Sequence, residues 1–249
     1  NHGIPLKSKI KIFDNKIFLI NQDNRIICIS TQNGSALWNV RSISSFIKSQ
    51  NLLSVALVNK EYIIISTSSG DLLKINQENG FVLWTLNTLG SSLAHATDFF
   101  KSSDIVISDD NIIFSTQSSI FSYDLDTGYI NWEKGVSSTG TPIIDGENVF
   151  IVTNDGYFVI MEISSGEIIS STNILKILKE KKQNTKVIGF VMGSGKIYSV
   201  TLNGFLIVNS ASSGRTEDFK KIGEPLTSSP IIADGKLFIY TENSKILAF

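Results

Sequence analysis

The 249 residues include one cysteine, Cys28, two histidines, His2 and His95, and four prolines. A single thiol excludes an internal disulfide framework and every zinc site built on several cysteines. Two imidazoles leave little for histidine-based metal or acid–base chemistry. Charge is sparse and balanced, with 22 basic and 23 acidic residues and a net charge of −1. That excludes the basic footprint of a dedicated nucleic-acid binder. A hydrophobic content of 42% excludes a disordered chain and supplies a sizeable core. No apolar run approaches the ~20 residues a membrane-spanning helix needs. The sequence opens Asn-His-Gly-Ile-Pro, with neither Met nor a signal-peptide pattern. The expectation is that Asn1 is not the start of the gene product, and that a leader, an anchor or further repeats precede it.

What the sequence does hold is a repeat. A turn glycine followed four residues later by tryptophan occurs as Gly34 with Trp38, Gly80 with Trp84, and Gly128 with Trp132. The turn recurs without tryptophan at Gly166 and Gly214, where Ser170 and Asp218 stand in its place. Two short apolar segments joined by a polar turn precede each window: 10–14 with 16–21, 54–58 with 62–67, 105–108 with 112–116, 142–144 with 149–153, and 188–192 with 196–201. Turns such as Asp145-Gly146-Glu147-Asn148 supply the positive-φ residues of tight hairpins.

Each unit therefore reads as four short antiparallel strands at the roughly 40–50-residue period of a β-propeller blade. An apolar period of two, as in Asp71–Asn76, excludes a solenoid of helix pairs. Five full units are visible, and a sixth from Ser228 to Phe249 has three strands. Its fourth strand comes either from Gly3–Lys7, or the ring is larger, up to eight blades, with blades before Asn1; the second alternative is favoured. Residues 1–249 are expected to form one propeller domain. The tryptophans read as structural staples, each leaning a broad aromatic surface on the neighbouring blade.

Two apparent ligand motifs dissolve on spacing. Asp124-Leu-Asp126-Thr-Gly128 resembles the start of a calcium loop, but glycine falls at the fifth position and Glu133 at the tenth. Gly189–Lys196, GFVMGSGK, is one residue too long for a phosphate loop and is followed by Ile197, where Ser or Thr must hold magnesium. The repeat phase makes both hairpin turns. Cys28 reads as a buried, inert thiol and His95 as a loop residue.

The pattern Asp124-x-Asp126-Thr127-Gly128-x-x-x-Trp132 resembles the tryptophan-docking repeat of PQQ-type β-propellers, and over the whole chain most resembles the outer-membrane protein assembly factor BamB. That superfamily also contains quinoprotein dehydrogenases. A quinoprotein fragment is the alternative reading, but such enzymes carry a vicinal cysteine pair, which Cys28 alone does not supply. The resemblance implies a non-catalytic periplasmic lipoprotein scaffold without a cofactor, associated with the outer membrane, whose partner is the barrel insertase BamA. Nascent outer-membrane proteins are a further partner it allows, by strand addition at a blade edge.

In that family long interblade loops carry the contact, an apolar-plus-basic stretch on one and an acidic stretch on the next. The matching connections here are 41–51 and 87–104. The implied partner-binding residues are Phe46, Ile47 and Lys48 on the first, and Asp98, Phe99, Phe100, Lys101 and Asp104 on the second. Lys48 stands where the family has arginine, which loses the planar fork. A third feature, 173–183, has apolar residues at 174, 175, 177 and 178 and reads as a short helix capped by Thr172 or Asn173. Lys176, Lys179, Lys181, Lys182 and Lys186 make it a local basic patch.

Overall fold

The structure, a computed structural model, describes residues 4–42, 48–88, 101–138, 140–182 and 185–249, the side chains of 179–182 excepted. It is an all-β propeller fold of antiparallel sheets, each a meander in chain order. The first four sheets are β1–β4 (Lys11–Phe13, Lys16–Ile20, Arg25–Ser30, Ala36–Arg41), β5–β8 (Val55–Leu57, Tyr62–Ser66, Asp71–Asn76, Val82–Asn87), β9–β12 (Val106–Ser108, Asn111–Ser115, Ile120–Asp124, Ile130–Lys134) and β13–β16 (Ile143–Asp145, Asn148–Val152, Tyr157–Glu162, Ile168–Asn173). Then follow β17–β20 (Val187–Gly193, Lys196–Thr201, Phe205–Ser210, Thr216–Lys221) and the three-stranded β21–β23 (Ile231–Ala233, Lys236–Tyr240, Ile246–Ala248). Every hairpin read from the sequence is present, within a residue or two at its ends.

The middle strands are buried on both faces, which is why β6, Tyr-Ile-Ile-Ile-Ser, reads as a continuous apolar run. Ile63 and Ile65 enter one core with Phe18, Trp38 and Ile75. Ile64 enters another, with Phe114 and Tyr123. Two compact units are distinguished: Asn1–Thr116 with Phe121–Asn131, and Gln117–Ile120 with Trp132–Phe249. Both of those cores lie in the first unit. The second unit has one core around Phe158, Ile197 and Ile207, and another around Val200, Leu226 and Ile239.

Two recurrent devices shape the blades. Between third and fourth strands the register slips once, at Cys28/Ile29, Lys74/Ile75, Ile160/Met161 and Val208/Asn209. The bulged residue is the one before the tryptophan position, and Leu37, Leu83 and Ile169 are accordingly exposed. A bulge at this point re-aims the next side chain. The second device is a turn between second and third strands. Thr67, Thr153, Thr201 and Thr241 each accept, at Oγ1, the backbone N–H four residues on. In the first blade Asn21 Oδ1 does the same for Arg25.

One alternative read from the sequence is corrected. The segment after Gly3 does not complete the sixth sheet. Its backbone is engaged on both sides within the first unit: Lys7 N–H donates to Ile20 O, Gln22 N–H to Pro5 O, and Leu53 N–H to Lys7 O. Among the described residues the sixth sheet has three strands.

Candidate functional site

The tryptophan seams join each repeat that has one to the repeat that follows. Trp38 and Trp132 are buried, and each indole Nε1–H donates to a backbone carbonyl of the following repeat, Gln77 O and Ile163 O, both at 2.8 Å. Each ring lies on that repeat's glycine. A Cβ at Gly80 would stand 2.9 Å from Trp38 ring carbons, and one at Gly166 2.6 Å from Trp132. Gly128 faces Trp84 in the same way at 3.3 Å. The glycine thus serves the tryptophan of the preceding repeat as well as its own turn. Gly34, which no earlier tryptophan reaches, has open space there and serves its turn alone.

The second seam differs. Trp84 Nε1 is buried and without an acceptor. The carbonyl in the corresponding place, Leu125 O, accepts instead from Lys74 Nζ at 3.1 Å. That ammonium also meets Asp126 Oδ1 at 2.9 Å and lies 4.8 Å from the centre of the Tyr62 ring. Its side chain is only 6% exposed, so the ion pair and cation–π contact replace its lost hydration.

Where Ser170 stands for tryptophan, it lies over Gly214, and other residues fill the core. Ile174, Leu175 and Leu178, on a 3-10 helix Ile174–Lys182, are buried among Phe150, Phe158 and Ile197. Leu175 lies on Gly156. Asn173 Oδ1 accepts the Lys176 N–H at 3.0 Å, which is the cap expected from the sequence.

The connections between blades leave and return by fixed contacts. After four of the five outer strands, β12 excepted, one N–H donates to the residue closing the turn of the same blade: Ser42 to Asn24 O, Thr88 to Gly70 O, Ile174 to Gly156 O and Ile222 to Gly204 O. Connection 41–51 returns with Ser49 N–H on Gln22 O and Ser49 Oγ on Asn51 O. Connection 87–104 returns with Ser103 N–H on Ser115 O. The strip Leu6–Lys9 ties the two returns together. Lys7 Nζ donates to Gln50 O at 3.2 Å, and Lys9 Nζ pairs with Asp104 at 2.6 Å. Ile105 N–H donates to Ser54 Oγ at 2.8 Å.

Of the residues singled out on these connections, Lys48 and Lys101 are exposed and Asp104 is the partner of Lys9. Phe46, Ile47, Asp98, Phe99 and Phe100, together with His95, lie outside the described residues. The strip contacts had no signature in the repeat, since Lys7 meets Gln50 and Lys9 meets Asp104 from 43 and 95 positions away.

The apparent ligand motifs are turns. Asp124 Oδ1 accepts from the Thr127 hydroxyl, the Thr127 N–H and the Asp126 N–H, and these bonds, the hydroxyl's first, hold its carboxyl below the usual range. Gly193 pairs with Lys196 across a hairpin turn. Among the described residues no three His, Cys, Asp or Glu side chains gather where they could hold a metal ion. Cys28 is fully buried, and burial pushes its thiol up to about 11 against the opposing pull of Lys16. An open cleft of about 450 Å³ in the second unit is lined by Ser137, Asn154, Asp155 and Tyr157. Two pairs of its polar side chains bond to each other, Asn154 with Ser137 and Asp155 with Thr153.

A family model described as outer membrane protein assembly factor BamB matches residues 5–172. The outer membrane protein assembly factor BamB of Shewanella oneidensis is 24% identical over 300 aligned residues, covering 99% of this chain and 71% of that protein. Among solved structures, BamB from Moraxella catarrhalis superposes with a TM-score of 0.74 at 13% identity, covering 96% of this chain and 70% of that one. Quinohemoprotein alcohol dehydrogenase from Comamonas testosteroni gives 0.67 at 12% identity, over 99% of this chain and 46% of that one. Identities this low carry fold and not chemistry.

Proposed function

The chain belongs to the family of outer membrane protein assembly factor BamB, and on that premise we propose that it is a non-catalytic periplasmic scaffold that docks on the barrel insertase BamA. One observation carries the docking site. Connections 41–51 and 87–104 return to a single strip of backbone, where Lys7 meets Gln50 O and Lys9 meets Asp104. The described ends of both connections are anchored on buried sheets, so contact energy is not spent on ordering the base of either one. The contact surface is Phe46, Ile47 and Lys48 on the first connection with Asp98, Phe99, Phe100 and Lys101 on the second. An aromatic group beside charges is the composition of a protein-contact hot spot. Asp104 sets the position of the second connection through Lys9.

The experiment is calorimetric titration of the folded chain with the periplasmic region of the barrel insertase from the same organism. A variant with Phe46, Ile47 and Lys48 changed to Ala is run beside it, both checked by circular dichroism. Binding by the parent and at least a tenfold loss in the variant is expected. Equal binding by both moves the contact elsewhere on the blades. No binding by a folded parent counts against the scaffold reading.

A further inference from the structure

Positive charge is concentrated in one part of a nearly neutral chain. Residues 174–186 hold Lys176, Lys179, Lys181, Lys182 and Lys186 against Glu180, and 219–221 add Lys220 and Lys221. The remaining 15 basic and 22 acidic residues leave the rest of the sequence at −7. Nothing in the tryptophan repeat or the two docking connections accounts for this segregation.

The fold of the second unit brings these segments together. The 3-10 helix packs beside β20, the strand that ends in Lys220 and Lys221. Lys186 O accepts the N–H of Leu202 at 2.8 Å, and Ile222 N–H donates to Gly204 O at 2.8 Å. The turn 201–204 therefore sits between Lys186 on one side and Lys221 on the other. Leu202 at its tip is 43% exposed. Lys176, Lys186, Lys220 and Lys221 are all exposed, and none is in an ion pair among the described residues. The acids of β20 lie at its other end, where Asp218 pairs with Val208 in register and Glu217 holds Lys196. Glu224 stands 4.0 Å from Lys245.

We propose that this face, an exposed leucine set among lysines that no described carboxylate pairs, binds the surface of a bilayer containing anionic phospholipid. The chemistry favours headgroups over a structured partner. The patch holds lysine and no arginine, so it offers hydrated point charges rather than planar forks matched to individual carboxylates. The apolar residues of the helix, Ile174, Leu175 and Leu178, are consumed by the core, so the helix does not insert. The apolar groups exposed beside these charges are Leu202, Phe219 and Phe249, and Lys220 lies over the Phe249 ring, 4.7 Å from its centre. Contact of this kind is chiefly electrostatic, additive in lysines and steeply salt-dependent.

The test is co-sedimentation of the chain with phosphatidylcholine vesicles, with and without a one-third share of phosphatidylglycerol, at low ionic strength and in molar salt. The variant changes Lys186, Lys220 and Lys221 to Ala. A control of equal net charge changes the exposed Lys60, Arg215 and Lys236 to Ala. Binding to the anionic vesicles, abolished by salt, is expected to weaken on the order of a hundredfold in the first variant, about fivefold per lysine. The control should stay within roughly threefold of the parent. No binding to anionic vesicles at low salt overturns the proposal, as does equal loss in the control. Binding to polyglutamate or an oligonucleotide as tight as to vesicles also overturns it, in favour of an acidic polymer. None of these readouts involves the insertase.

Discussion

The indole of Trp38 lies on Gly80 of the next repeat, where a Cβ would stand 2.9 Å from ring carbons Cδ2 and Cε3. The backbone of Gly80 also has a φ of +74°, which costs other residues about 1–2 kcal/mol. Gly34 has nearly the same φ, +71°, and open space around it. Gly80→Ala should therefore destabilise by about 3 kcal/mol, strain and overpacking together, and Gly34→Ala by about 1. Urea unfolding of the two variants measures the difference. Equal losses would show that the glycine serves only its turn.

Trp38 and Trp132 spend their N–H on a carbonyl of the next repeat, while Trp84 has no acceptor because Lys74 holds Leu125 O. Replacement by Phe should cost about 1 kcal/mol more at positions 38 and 132 than at 84, the net worth of one hydrogen bond. Thermal or urea denaturation of the three variants gives the ranking.

Loss of tryptophan at Ser170 and Asp218 reads, from sequence, as looser stapling of the later blades. Burial of Ile174, Leu175 and Leu178 argues for a substitute. Leu175→Ala is expected to destabilise by about 2–4 kcal/mol. Hydrogen exchange in the parent should protect β15 and β19 as well as β3 and β7. Much faster exchange in β15 would show that the helix does not stand in for the indole.

Cys28 titrates from an ordinary 9.0 to about 11, chiefly because burial disfavours the thiolate. A raised acid favours the protonated fold, so its contribution is complete below pH 9 and is lost as pH rises through 11. The urea midpoint of the parent should fall across that window more than that of Cys28→Ala. Iodoacetamide should alkylate the native thiol far more slowly than the unfolded one, because burial both shields the sulfur from the reagent and holds it protonated. Equal rates would place Cys28 at the surface.

The blades were legible because turn glycines and polar hairpin residues punctuate short apolar runs at a near-constant period. Even Ile63-Ile64-Ile65, which shows no alternation, could be placed from its flanking turns. Less legible was what depends on a neighbour distant in sequence. Gly80 announces its turn but not Trp38, 42 residues earlier, and Lys74 reads as a surface lysine until Leu125 O is beside it. The bulges before the tryptophans were also unreadable, because one extra residue leaves no compositional trace. For the candidate site, the sequence marked the two long connections. It did not mark their anchors, since Lys7 to Gln50 and Lys9 to Asp104 are joined by topology alone.

The central claim, that connections 41–51 and 87–104 form one docking surface, is tested most directly by site-specific photo-crosslinking. A photoreactive residue is placed in turn at Lys48, Lys101, Lys60 and Lys236, all exposed, and the chain is irradiated with the periplasmic region of the insertase. The account predicts crosslinks from positions 48 and 101 and none from 60 or 236. Crosslinks from 60 or 236 with silence at 48 and 101, in folded proteins, would contradict it.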